Sequence, residues 1–437
     1  MKRTIGLRMA QKDKTMTTKP TLSEAFRVWG KIGVLSFGGP AAQIAMMHRE
    51  VVDDKKWLTE KQFLNALSFC MLLPGPEAMQ LATYAGWRIN GLLGGLIAGL
   101  LFVIPGALVI LALATLYAYL GTVPIVEALF LGIKATVVVI VIEALLRVSK
   151  KALKRTDHWI IAGLSFVGIF FLNIPYPLIV LIAALYGLFF NDKSSEPEEE
   201  IQHRQPITKT LKTIAIWLAI WWAPILLLDI ITETSILNEI AYFFSKLAVV
   251  TFGGAYAVLA YMGQDVVTLK GWLTAGQMMD GLGLAETTPG PLILVTEFVG
   301  FLAGFAAGGL WLGVAAAIVT LWVTFTPCFL WIFAGAPYID WIGTQPRLRG
   351  ALSAITAAVV GVILNLSIWF ALHVFFDTVT KTKTGLLTLW LPELSTINPI
   401  VMALAILSGY LLLKRHWNVV GVLALSAILA LGVSQIG

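Results

Sequence analysis

Residues 91–121 read "GLLGGLIAGLLFVIPGALVILALATLYAYLG", without a single charged side chain. As a helix this run would be about 46 Å long at 1.5 Å per residue. The hydrocarbon core of a bilayer is only about 30 Å thick. Similar runs recur from end to end of the chain, which is 58% hydrophobic and 13% charged. A soluble domain carries about 25% charged residues. A membrane β-barrel would show short alternating segments instead. The pattern predicts an all-α polytopic membrane protein, because a helix satisfies its own backbone inside lipid.

Several function classes drop out. The net charge of +6 comes from residues mostly in short loops, as orientation signals do, and does not mark a nucleic-acid partner. Cys70 and Cys328 both fall in apolar segments and make neither a disulfide framework nor a zinc site. The five histidines are scattered. No nucleotide loop, hydrolase elbow or zinc-protease motif is present, so no catalytic site, cofactor or metal is expected.

About thirteen membrane segments are predicted: 22–47, 58–90 (broken at 74–76), 92–120, 124–146, 158–172, 175–190, 211–231, 237–262, 272–302 (broken at 289–291), 308–335, 350–376, 398–413 and 417–435. The basic stretches "RVSKKALKR" (147–155), "RLR" (347–349) and "KRH" (414–416) belong in the cytoplasm by the positive-inside rule. The count then places the N-terminus inside and the C-terminus outside. Residues 1–20 read as a disordered cytoplasmic tail, and 191–210 as a polar cytoplasmic linker. Residues 211–235 form a linking helix between a first repeat, 21–190, and a second, 236–437. Trp57, Trp159, Trp272, Trp341 and Trp417 read as interfacial anchors.

The repeat is explicit. "SFGGPAAQIAMMHREVVDDKKWLTEKQF" (36–63) aligns without gaps to "TFGGAYAVLAYMGQDVVTLKGWLTAGQM" (251–278). Across 22–76 and 237–291, about 20 of 55 positions are identical. Each copy carries an FGG and, further on, a PGP that breaks an apolar helix. An odd number of spans separates the copies, so the second is expected to lie inverted relative to the first, the architecture of many secondary transporters.

A backbone break inside lipid leaves polar groups unpaired, at a cost of several kcal/mol each. It is tolerable where it is packed in protein or lines a polar cavity. After each PGP a new helix starts, with free amides and a positive dipole end that favours an anion. The candidate anion site therefore comprises Gly38, Gly39, Pro74, Gly75, Pro76 and Gln80 in one copy, and Gly253, Gly254, Pro289, Gly290 and Pro291 in the other. Lys31 and Lys246 precede the FGG motifs at equivalent positions. They either bind the anion or pair with Glu24 and Glu239, seven residues away. Arg88 is a candidate bidentate oxyanion ligand or a positive-inside charge. Glu77 and Glu286 are candidates for proton coupling, with Glu77 alternatively an acidic first-turn residue that stabilises its helix end. A kink made only for packing is the plainer reading of any single PGP.

With these motifs in place, the chain resembles the chromate ion transporter family in its long two-domain form. The resemblance rests on "FGGPAAQIAMM", "LLPGPEAMQLATYAGWR" and the second "FGGAYAVL…TPGP", and covers roughly residues 20 to 435. It implies a multi-pass inner-membrane protein that exports chromate, a sulfate analogue, with the proton motive force as energy source and chromate resistance as the outcome. The implied partners are chromate or a related oxyanion, protons and the lipid bilayer, with a homodimer left open. Members often carry His where this chain has Gln43. A channel or carrier for sulfate or another anion, and a membrane enzyme acting on lipid, are the competing classes.

Overall fold

The computed structural model describes residues 20–190, 206–231, 235–252, 254–339, 345–385 and 387–435. Most of the expected tail and linker, together with Gly253 and Trp341, lie outside the described residues. Five of the described helices are long and apolar enough to cross a membrane, and shorter apolar helices accompany them.

Helix α1 (Leu22–Leu35) starts at Thr21, whose hydroxyl accepts the Glu24 amide. It stops at Ser36. Gly38 and Gly39 then take φ of 84° and 77°, a conformation that glycine reaches without a Cβ clash. The chain reverses into α2 (Gly39–His48), which continues as a π-helical stretch over Arg49–Asp54. The two arms run antiparallel. Lys31 pairs with Glu50, and Lys55 Nζ lies 2.8 Å from Glu24 Oε1. Residues 22–47, expected as one span, are therefore two arms of a helical hairpin with FGG at its tip.

The next segment does the same. Helix α3 (Glu60–Cys70) opens with a capping box between Thr59 and Gln62. The chain breaks at 71–76, with Gly75 at φ 111°, and α4 (Glu77–Leu120) follows. Asn90 and Gly91 divide α4 into arms 77–89 and 92–120, and Gly91 takes φ 69°. Gly86 and Gly94 pack their backbones so closely across the two arms that no Cβ would fit at either. The Asn90 side chain donates to Pro20 O at 2.9 Å, setting the end of arm 77–89 beside the start of α1. At the other foot, His48 Nε2 and Glu60 Oε2 lie 2.5 Å apart. The expected broken span 58–90 is thus a second hairpin, with PGP at its tip and both feet near those of the first.

Arm 92–120, α5 (Pro124–Ala152), α6 (Thr156–Phe170), α7 (Tyr176–Phe189) and α8 (Ile207–Ile231) follow. The second half then repeats the plan. Helices α9 (Ser235–Val250) and α10 (Ala255–Gln264) form the FGG hairpin, closed by Lys270 Nζ and Glu239 Oε2 at 2.9 Å. Helix α11 (Ala275–Thr287) leads to the second PGP, a 3-10 turn (Leu292–Leu294) and α12 (Val295–Gly335). Gly308 and Gly309 divide α12 as Asn90 and Gly91 divide α4. Helices α13 (Pro346–Phe375), α14 (Pro399–Gly409) and α15 (Val419–Ser434) complete the chain.

Not everything is helical. Val379–Thr384 and Leu387–Pro392 form an antiparallel β-hairpin between α13 and α14. The alternating "VTKTKT" is rich in β-branched residues, which suit a pleated strand better than a helix. The small strand pair corrects the all-α expectation. Trp57 corrects another, since it is 9% exposed and packs inward, whereas Trp159 and Trp417 are exposed as anchors would be. Elsewhere the helices meet at glycine. A Cβ at Gly33, Gly132, Gly187 or Gly361 would strike the backbone of a neighbouring helix. Close approach at small residues is how apolar helices associate where lipid removes the hydrophobic drive.

Candidate functional site at the hairpin tips

The four tips converge. The Gly75 amide donates to Thr251 O at 2.9 Å, and the Gly290 amide donates to Ser36 O at 2.9 Å. Ser36 and Thr251 immediately precede the two FGG motifs at equivalent positions. Each PGP break is thus closed by a carbonyl from the other half. The surrounding walls are reciprocal too. A Cβ at Gly75 would meet Cys328 Sγ at 3.0 Å, and one at Gly290 would meet Gly106 Cα at 3.5 Å. Pro105–Gly106 and Pro327–Cys328 are again equivalent positions. Gly106 lies midway along arm 92–120, so the junction sits near the middle of a spanning helix.

Two glutamines complete the junction, both from the first half. Gln43 Nε2 donates to Gly290 O at 2.6 Å and to Ser36 O at 3.2 Å. Gln80 Nε2 donates to Pro74 O at 2.7 Å. Both side chains are buried, and each leaves its amide oxygen without a partner. The second half has Val258 and Val295 there. Conversely, Tyr256 and Glu286 of the second half share a 2.7 Å hydrogen bond where the first half has Ala41 and Met71.

The first helical bond of α4 runs from Gln80 N to Pro76 O. The amides of Glu77, Ala78 and Met79 therefore point into the break ahead of it, at the positive end of the helix. In the second half, Leu294 N to Pro291 O plays the same part. Unspent amides and a positive dipole end suit an anion. Glu77, half-buried in the first turn of α4, adds a negative charge at the same place.

The remaining candidates lie elsewhere. Lys31 pairs with Glu50 on the opposing arm, and its side chain is 56% exposed. Lys246 Nζ sits 5.9 Å from the centre of the Tyr261 ring and lines a cavity of about 240 Å³ with Asp265 and Lys381. The alternative partners Glu24 and Glu239 are taken by Lys55 and Lys270. The physical reason is the hairpin: an opposing arm offers a carboxylate at closer range than a position two turns along the same helix. Arg88 is exposed at the Asn90–Gly91 turn, at a hairpin foot about 18 Å along the helix from the tip. Gly253 lies outside the described residues, and Gly38, Gly39 and Gly254 all adopt positive φ at the tips. Sequence singled out Gln43 only as a departure from the family's His, and it missed Tyr256, which its difference from Ala41 in the other copy could have marked.

The comparisons agree with this architecture. The family model for chromate transporters matches residues 23–188 and again 238–432. The chain belongs to the chromate transporter family. It is 33% identical to the chromate transport protein of Pseudomonas aeruginosa over 80% of this chain and 81% of that one. It is 27% identical to the probable chromate transport protein of Synechococcus elongatus over 92% and 98%. An uncharacterized transporter of Bacillus subtilis, YwrA, is 29% identical over 35% of this chain and 88% of its own length, close to a single half. No solved structure matches the chain. Family membership points to a transporter rather than an enzyme, in a multi-pass membrane setting.

Proposed function

We propose that the protein is a secondary transporter that exports chromate across the inner membrane, coupled to the proton motive force, and so confers chromate resistance. The two halves, 21–190 and 236–437, act as inverted-topology repeats. Five crossing segments lie between the feet of the first-half hairpins and those of the second: arm 92–120, α5, α6, α7 and α8. An odd number turns the second copy over, and the four hairpins then enter from opposite faces and meet mid-span. Two segments first counted as spans in each half return to their own face, so the cytoplasmic placement of the N-terminus and basic loops stands.

The observation that carries this reading is the reciprocal pair of hydrogen bonds, Gly75 N to Thr251 O and Gly290 N to Ser36 O. It makes one junction from both copies, where a single group can be reached from either side as the halves rock. Amides ahead of α4 and the buried glutamines bind a tetrahedral oxyanion there. Glu286, held by Tyr256, and Glu77 flank it as proton-exchanging groups. The test is chromate flux in proteoliposomes, with and without an imposed pH gradient. Uphill accumulation driven by the gradient is the expected result. Flux that only ever runs downhill identifies a channel and overturns the carrier.

A further inference from the structure

Away from the tips, a charged cluster joins the two halves inside the membrane region. Asp280 lies on α11, one turn beyond Gly276, and its side chain is 4% exposed. Its Oδ2 accepts a 2.8 Å hydrogen bond from Tyr117 OH, on arm 92–120. The same oxygen lies 3.4 Å from Lys134 Nζ, on α5. The other oxygen, Oδ1, is buried without any partner. Three helices from two halves thus converge on one carboxylate, and they satisfy only one side of it.

The rest of the surroundings are nearly neutral. Helix α12 offers Glu297, next to Phe298, which packs on Gly281. Helix α5 also carries Glu127, in its first turn. The charged residues of α13, namely Arg347, Arg349 and His373, stand near its two ends, and α15 and the 3-10 turn have none. Lys134 is therefore the one cation in contact with Asp280 among the described residues. It is also 25% exposed, so the pair is not sealed from solvent.

A buried carboxylate with one free oxygen has two ways to meet its needs. Ionised, it needs Lys134 and leaves Oδ1 bare, which is costly in a dry interior. Protonated, it gains a donor and no longer needs the ammonium. Oδ1 lacks a partner in either form, but the neutral form carries no bare charge, and the switch changes the tie between α5 of one half and α11 of the other. The cluster exists in one copy only: Asn65 stands at the position of Asp280, and Thr356 at that of Lys134.

We propose that Asp280 is a proton-binding residue of the transport cycle, with Lys134 holding its ionised form and Tyr117 positioning it. The assignment rests on the proton-coupled reading above. It adds a third carboxylate, distinct from Glu77 and Glu286, at a second contact between the halves away from the tips.

The test uses the full chain and the variants Asp280→Asn and Lys134→Gln. Asp280→Asn keeps an acceptor for Tyr117 and removes the titration. In proteoliposomes it should still exchange chromate for chromate at zero gradient, yet lose accumulation driven by a pH gradient. Infrared difference spectra across a pH titration should show a protonated carboxyl band in the parent protein that is absent in Asp280→Asn. In Lys134→Gln that band should persist to higher pH, because the cation that favours the ionised form is gone. Gradient-driven accumulation equal to the parent in Asp280→Asn overturns the proposal. So does the absence of any Asp280-dependent carboxyl band, or the loss of exchange in a correctly folded Asp280→Asn protein, which would make the residue a structural tie. A parent protein that carries no chromate fails the function reading alone, and the infrared titration still decides whether Asp280 binds a proton.

Discussion

Replacing Gly75 by alanine strains the junction in two separable ways. The residue holds φ at 111°, where an L side chain costs about 1–2 kcal/mol. The new Cβ would also stand 3.0 Å from Cys328 Sγ and 3.1 Å from Gln80 Nε2, both buried. Overpacking of this kind costs about 1–3 kcal/mol. The expected loss for Gly75→Ala is therefore about 2–5 kcal/mol. Gly290→Ala shares the backbone strain, at φ 89°, but its nearest neighbour is the Leu294 Cδ1 methyl at 3.1 Å, the movable end of a side chain. It should lose about 1–2 kcal/mol, mostly from φ. Alanine keeps the amide that donates across the halves, so the hydrogen bond itself is not deleted in either variant. Thermal unfolding in detergent, followed by size-exclusion fluorescence, measures the order. Measured against the Cys328→Gly single variant, which copies Gly106 of the other half, Gly75→Ala should cost less by the Sγ share of the packing loss, while the Gln80 contact and the φ part remain. A Gly75→Ala protein as stable as the parent, or no rescue by Cys328→Gly, would refute the reasoning. Chromate flux per folded molecule should fall in both alanine variants, because the tips no longer seat as built.

Gln43→Leu removes the donor to Gly290 O and Ser36 O, and should lower stability by about 1–3 kcal/mol through the carbonyl left unpaired. Gln43→His, which keeps a ring donor, should lose less in the same unfolding assay. Tyr256→Phe deletes the hydrogen bond given to buried Glu286 and should lower both stability, by about 1–3 kcal/mol, and chromate flux per folded molecule; unchanged flux would detach Glu286 from the site. Lys31→Ala should weaken folding through the mostly buried Glu50 it leaves unpaired, with flux per folded molecule preserved, since Lys31 stands away from the tips. A specific drop in flux would return that lysine to the binding site.

The duplication and the two PGP breaks were legible because glycine and proline mark them and the copies align without gaps, whereas the FGG turns were read inside unbroken spans. The direction of the chain after each break was not legible. An arm of 14 residues followed by another of similar length has the length of one or two spans, and only contacts such as Lys55 with Glu24 and Asn90 with Pro20 show that it turns back. The lysine partners failed for the same reason. Equal spacing pointed to Glu24 and Glu239, whereas the antiparallel arm brings Glu50 to Lys31. Lys151 of the basic loop reaches Met71, at the end of α3, which loop counting could not show. The segment 379–392 fell between two predicted spans, and the alternation that pairs it as strands is short and confined to that gap. Tyr117, Lys134 and Asp280 lie too far apart in sequence for any local pattern to join them.

Because each PGP amide finds its acceptor on the other copy, neither half is complete in isolation. A fragment ending before residue 191 would carry Gly75 and Ser36 with half of the bonding they need and nothing to answer it. Two identical first halves would have to find one another in the membrane, each offering its Ser36 carbonyl to the other's Gly75 amide. Joining the copies through α8 removes that search: every molecule synthesised contains its complement, at a ratio of one to one. The duplicated chain could then let its copies drift apart in sequence. Gln43 opposite Val258, and Asp280 opposite Asn65, are differences that a protein made of interchangeable halves could not have kept.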